Sequence, residues 1–385
     1  MRGAQRVEAL PEYLSARLTR LVGEARAQGH DVISLGIGDP DSVPPHAIRE
    51  ALFDAARRDD VHGYPTNAGL PVLRQRVATY YADRFGVGLD PETQVMPLLG
   101  AKEGLAHLCM AQLDPGDRAL IADPGYPVYT GGTIAAGGIP VGMPLRAEGR
   151  FLPDLDAITA ADRDRANLLI CGYPNNPTGA VANLEFFASL SAFGHSHDIP
   201  ICHDNAYAEL TFDGLRSESF LAAPDALDAG IEIYSLSKSL SLPGWRMAFA
   251  VGNAEMLSRL RRFKTHIDSG MWMALQHAAV TAFDLLPEET ARLRAVYEQR
   301  RDLVCDALSA AGVAVIRPQG SLYVWMPVPK GEQSLPFAER LFRDAHVVVG
   351  PGIAYGSSSD DHVRLALTVP DDRLAEAVAR ITRAL

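Results

Sequence analysis

The chain has 385 residues, 47% of them apolar and 22% charged, and a formal net charge of −11. Those proportions belong to an ordinary globular protein too long for one small core, so two domains are expected. The acidic balance argues against a nucleic-acid partner, and no run of 18 apolar residues offers a membrane span. Cys109, Cys171, Cys202 and Cys305 form no CxxC pair; three sit in apolar surroundings and read as buried, reduced thiols. The first residues lack a hydrophobic signal core. Their arginines weakly suggest a transit peptide, against which Glu8 and Glu12 count, so the cytoplasm is the expected compartment.

Between about residues 90 and 252, short apolar runs alternate with helical patterns. The strands expected are Gln94–Leu99, Ala119–Ala122, Leu168–Cys171, Pro200–His203, Ile231–Tyr234 and Met247–Val251, with helices at Gly104–Leu113 and Leu184–Ser196. Such alternation predicts an α/β fold with a mostly parallel sheet covered on both faces. Residues 287 to 311 read as one long helix ended by Gly312. Strand-like runs Val313–Arg317 and Leu322–Met326 follow, then helix Leu335–Ala345, strands Val347–Val349 and Val363–Ala366, and helix Asp371–Leu385. This mixture suggests a smaller α+β domain. No Gly/Ser linker marks the boundary near 285, so a continuous helix is expected to join the two.

Ligands on parallel sheets bind beyond the carboxyl ends of the strands, which makes the residues after each apolar run informative. Gly100-Ala101-Lys102 opens a helix whose free N–H groups suit a phosphate. Tyr126, between glycine and proline, can present a flat ring. Asn176 stands in a loop fixed by Pro174, Pro177 and Gly179, and Asp204 would be a carboxylate at a buried strand end, costly without a cation. Tyr207 follows it.

Ser235, Ser237 and Lys238 end the fifth run, and Arg246 lies eight residues on. The chain holds 36 lysines and arginines, and just four are lysines: Lys102, Lys238, Lys264 and Lys330. A desolvated lysine can lose its proton and attack a carbonyl; arginine cannot. Lys264 and Lys330 read as ordinary surface lysines. At Lys238, the amine, carboxylate, amide, phenol, aromatic plate and phosphate nest together suit a phosphorylated pyridine aldehyde.

Three segments, Ser235-x-Ser237-Lys238 through Gly244-x-Arg246, Asn176-Pro177-Thr178-Gly179 and Asp204-Asn205-Ala206-Tyr207, resemble the class I/II aminotransferases of fold type I in order and spacing. The resemblance covers nearly the whole chain. It implies pyridoxal 5′-phosphate as cofactor, a large domain built on a seven-stranded type of sheet, and transfer of an amino group between an amino acid and a 2-oxo acid. Residues 1–45 would form an N-terminal arm and part of the small domain, 46–285 the large domain and 286–385 the small one.

Carried over residue by residue, the resemblance makes Lys238 the cofactor-bearing lysine and proton shuttle. Asp204 becomes the partner of the pyridine nitrogen. Asn176 and Tyr207 become donors to the ring oxygen, and Tyr126 the stacked ring. Gly100, Ala101, Lys102, Ser235, Ser237 and Arg246 would hold the phosphate, although the family more often has serine at the position of Ala101. Tyr64, in the segment ending Leu73-Arg74, would reach the phosphate of a neighbouring subunit, which implies a homodimer with shared active sites. Arg364 would clamp the substrate α-carboxylate, and the backbone of Gly38 would close over it. No metal is implied.

The look is closest to the LL-diaminopimelate, N-succinyldiaminopimelate and aspartate aminotransferase branch. A second substrate carboxylate would need a second cation, for which Lys264, His266 and an N-terminal arginine are candidates. A fold-type I C–S lyase and an alanine or aromatic aminotransferase stay open as alternatives. A transcriptional regulator would need a DNA-binding head, for which the N-terminus leaves no room.

Overall fold

The computed structural model describes residues 3–11 and 14–385. Arg2 and Glu12, which entered the reading of the N-terminus, lie outside the described residues. The strands, in chain order, are β1 (Ile33–Ser34), β2 (Val95–Leu98), β3 (Arg118–Asp123), β4 (Ile139–Pro144), β5 (Ala166–Gly172) and β6 (Ile201–Asn205). They continue with β7 (Gly230–Ser235), β8 (Ala248–Gly252), β9 (Tyr323–Pro327), β10 (Val347–Val348), β11 (Gly350–Pro351) and β12 (His362–Ala366).

Seven strands form one sheet in the order β2-β8-β7-β6-β5-β3-β4. Pairing is parallel except where β8 meets β7 and β2. The sheet is apolar on both faces because alternate residues enter different cores. Ala119 and Ile121 of β3, with Ile231 and Ile233 of β7, pack under helices Ala101–Gln112 and Ala254–Lys264. Leu120 and Ala122, with Tyr234, face the opposite layer. Each predicted strand of this sheet is present to within two residues at either end.

β4 carries Pro140, Gly142 and Pro144 and gave no strand signal. It occupies the sheet edge and pairs with β3 alone, where proline is tolerated because one side of the ladder is open. The expected strand at 313–317 is absent; those residues run as irregular chain after the helix. Apolar alternation there reflects Val313 and Val315 leaning on the neighbouring core.

A second core gathers Ile33 and Leu35 with Leu322, Val324, Leu341, Val363 and Ile381, around the β11-β12-β9 sheet and the β1–β10 pair. One helix, Met273–Ala310, runs through both cores: Ala278, Phe283 and Leu286 belong to the first, Leu293, Tyr297 and Val304 to the second. It begins well before the predicted start at 287 and carries Pro287 inside it. Among the described residues, no helix is long and apolar enough to cross a membrane.

Candidate active site

The ends of β2, β3, β5, β6 and β7 lie at one edge of the large sheet, because Leu98, Ala248 and Ser235 share a register row and Gly172 pairs with Asp204. Their trailing loops enclose a cavity of about 800 Å³. Of the predicted site residues, Gly38, Ala101, Lys102, Tyr126, Asn176, Asp204, Tyr207, Ser235, Ser237, Lys238, Arg246 and Arg364 all line it. Gly100 stands directly behind: its φ of +93° is left-handed, and an added Cβ would lie 2.0 Å from Arg246 Nη2. Only glycine lets that guanidinium approach the helix start. Tyr64 is not in the cavity; it is 93% exposed on the surface.

Lys238 sits on a single helical turn, Leu236–Ser239, capped by Ser235, whose hydroxyl accepts from the Ser237 N–H at 3.2 Å. Its Nζ donates to the carbonyl of Gly38 at 2.6 Å. Burial pulls the ammonium below its usual range, and the charges of Arg364 and Arg246 add to that, against Tyr323 and Asp39. The amine therefore gives up its proton more readily than an exposed lysine does.

Asp204 is buried at the end of β6. Its Oδ2 accepts a hydrogen bond from Tyr129 at 2.9 Å, and its Oδ1 has no partner. Burial raises the carboxyl to about 6, and the Tyr129 bond and His203 only partly offset it. A buried carboxylate oxygen left without a donor is costly, and a donor N–H from within the cavity would relieve it. Next to Asp204 on β6, His203 accepts from the Tyr173 N–H through Nε2, and its Nδ1 lies 2.9 Å from Glu232 Oε2.

Arg364, on β12, sends Nη1 to Asn176 Oδ1 and Nη2 to the Gly36 carbonyl, both at 2.9 Å. Its guanidinium carbon lies 3.9 Å from the Tyr323 ring centre and 4.7 Å from that of Tyr355. Two rings and two hydrogen bonds fix its plane at the cavity wall. The bond to Asn176 occupies the acceptor end of that amide, so its NH₂ is the donor end.

The helix Ala101–Gln112 starts without a side-chain cap, with its N-terminal N–H groups beside Arg246, Ser235 and Ser237. This set fits the cofactor: the orphaned Asp204 oxygen matches a pyridinium N–H, the uncapped helix and Arg246 match a phosphate, and Lys238 can condense with an aldehyde.

A match to the family model of aminotransferase class I and II spans residues 30–381. The chain belongs to the class I and II aminotransferases. It is an enzyme that uses pyridoxal 5′-phosphate to move an amino group between an amino acid and a 2-oxo acid. This aminotransferase is 45% identical to the LL-diaminopimelate aminotransferase of Moorella thermoacetica, covering all of this chain and 99% of the relative. It is 47% identical to that of Desulforudis audaxviator, over 98% and 96% of the two chains.

Among solved structures, substrate-bound BacF of Bacillus subtilis aligns at a TM-score of 0.96 and 38% identity, covering 100% of this chain and 98% of that one. A probable N-succinyldiaminopimelate aminotransferase of Thermus thermophilus aligns at 0.91 and 34%, covering 97% and 100%.

Three findings amend the expectations from sequence. Lys264 is neither a surface lysine nor a substrate reader. It is fully buried and donates to Glu103 and, at 2.7 Å, to Asp268. Glu103, His107 and Asp268 present ligand atoms within 4.8 Å of one another, but the Lys264 ammonium holds two of the three. His266 is exposed and, like Arg6, does not line the cavity. Finally, Tyr129 and Tyr323 were missed. Tyr129 falls one helical turn after Tyr126, a spacing that could have put both on one wall.

Proposed function

We propose that this aminotransferase acts on a diaminopimelate-type amino acid with 2-oxoglutarate as amino acceptor, in the cytoplasm, as a homodimer. The observation that carries the site assignment is the meeting of an amine and an orphaned carboxylate oxygen, Lys238 Nζ and Asp204 Oδ1, in one cavity. The substrate class is supported by whole-length similarity to two enzymes named for LL-diaminopimelate.

When bound, the cofactor supplies an aldehyde carbon and an electron-accepting ring. Asp204 holds a proton on the ring nitrogen, an arrangement that its Tyr129 bond orients. Asn176 and Tyr207 donate to the ring oxygen. Tyr126 covers one face of the ring. The Ala101 and Lys102 N–H groups, Ser235, Ser237 and Arg246 hold the phosphate. Arg364 would bind the substrate α-carboxylate and so orient the Cα–H bond for Lys238. Lys238, as a free amine, takes the Cα proton and returns it. The Gly38 backbone closes over the carboxylate.

Residues 46–285 would form the cofactor domain, and 1–45 with 286–385 the smaller one. The exposed Tyr64 supports the dimer. Buried Arg74 holds the Gly69 carbonyl at 2.7 Å and so steadies the segment that presents the ring outward, to a neighbouring subunit.

The test is a half-reaction screen: the absorbance of the bound cofactor is followed as each amino acid converts it to the amine form. Fast conversion by both glutamate and a diaminopimelate supports the reading. Conversion by alanine or an aromatic amino acid alone overturns the substrate class.

A further inference from the structure

Tyr323, on β9, is a polar side chain of the cavity without a task so far. Its hydroxyl lies 2.9 Å from that of Tyr207. Arg364 lies over its ring, and a Cβ at Gly38 would stand 2.1 Å from its oxygen. Three separate parts of the chain, the Gly38 loop, the end of β6 and the small sheet, thus close around one phenol oxygen. Tyr207, at its hydroxyl, and Arg364, over its ring, are assigned above to the cofactor and the substrate.

Two buried hydroxyls at this distance share one hydrogen, and one must donate. Burial pushes Tyr207 well above the ordinary phenol range. Burial acts on Tyr323 in the same direction, but Arg364, Lys238 and the bond with Tyr207 outweigh it and leave Tyr323 below that range. A hydroxyl carries one hydrogen, and the role given to Tyr207 above commits that hydrogen to the ring oxygen, so the hydrogen between the two phenols must come from Tyr323. Tyr323 therefore gives its hydrogen to the Tyr207 oxygen, and the Tyr207 hydrogen is turned to another acceptor.

We propose that Tyr323 is a positioning residue: it donates to Tyr207, and thereby aims and strengthens the hydrogen bond that Tyr207 gives to the cofactor's ring oxygen. This rests on the assignment of Tyr207 made above. Hydrogen bonds in series polarise one another, so the outer donor acts through the inner one.

The experiment uses the holoenzyme. The visible absorbance of the bound cofactor is titrated with pH in wild type, Y207F, Y323F and the double variant. A donor to the ring oxygen lowers the titration midpoint. Y207F is expected to raise it by about 1–2 pH units, the size of a hydrogen bond to a charged group. Y323F is expected to raise it by about 0.2–0.5 unit, the cooperative share. The double variant is expected to match Y207F, because Tyr323 has nothing to act through once the Tyr207 hydroxyl is gone.

Y323F keeps the ring under Arg364, and the wild-type and Y207F titrations calibrate the reading. A shifted Y207F with an unshifted Y323F overturns the relay alone, as does a double variant whose shift is the sum of the two. An unshifted Y207F overturns the role of Tyr207, and the relay with it.

Discussion

Lys238 and Lys264 make opposite use of the same amine. Lys264 is sealed in and bonded to two carboxylates, Glu103 and Asp268. Lys238 meets a lone carbonyl, that of Gly38, with Arg364 and Arg246 nearby. The first environment pays for burying a charge; the second discourages the charge. Pairing makes one lysine a fixture, and withheld pairing makes the other reactive.

The fixture also has a reach. Glu103 accepts from the Leu99 N–H at 3.1 Å at the start of its helix. Asp268 caps the Gly270 N–H, and its carbonyl holds Asn67 at 3.0 Å. Lys264 thereby ties the proposed phosphate-binding turn to the segment that presents Tyr64.

The sharpest way to break this comparison is to exchange fates. Lys238→Met is expected to lower turnover by at least about 10⁴-fold, the upper end of a general acid–base contribution, because the amine that would carry the cofactor is lost as well. The same change should leave the cofactor-free protein as stable as wild type or slightly more so, since it removes a desolvated amine. Lys264→Met should do the reverse, with a loss of about 3–5 kcal/mol in urea unfolding because two carboxylates lose their partner. Equal stability losses in the two variants would end the distinction.

Asp204 offers the same contrast for a carboxyl. Its folded value of about 6 lies above the unfolded value of 3.8, so folding favours its protonated form. Stability is lost as pH rises through that window and is intact below it. Asp204→Asn keeps an acceptor for Tyr129 and removes the charge. In the cofactor-free protein it should be more stable than wild type by about 3 kcal/mol at pH 8. The difference should vanish below about pH 4. A difference that is flat with pH would show the carboxyl to be unstrained. The smallest expected effect is Arg364→Lys, a fall in kcat/KM of about 10²-fold as the planar contact between Tyr323 and Tyr355 is lost.

Sequence made the sheet and the polar cluster legible because both are local. A buried strand is an apolar run, and the chemistry follows it within a few residues, as Asp204 follows Cys202 and Lys238 follows Tyr234. The edge strand β4 escaped because its prolines and glycine satisfy an edge and mimic a loop. The run at 313–317 misled because two valines touching a core resemble alternation. Lys264 and Tyr323 were illegible for a different reason. Their partners, Glu103 for one and Tyr207 for the other, are more than a hundred residues away in the chain. Asp268, four residues after Lys264, was within reach of a local reading; Glu103, which completes the pairing, was not.

The helix Met273–Ala310 has a further consequence. Pro287 has no N–H to return to the carbonyl of Phe283, and it falls between the last residue that helix gives to the first core, Leu286, and the first it gives to the second, Leu293. The rod is weakest in bending where it passes from one core to the other. Any tilt of Arg364 and Tyr323 relative to Lys238 is cheapest there, so a single proline outside the cavity wall marks the pivot about which the proposed carboxylate clamp can rock.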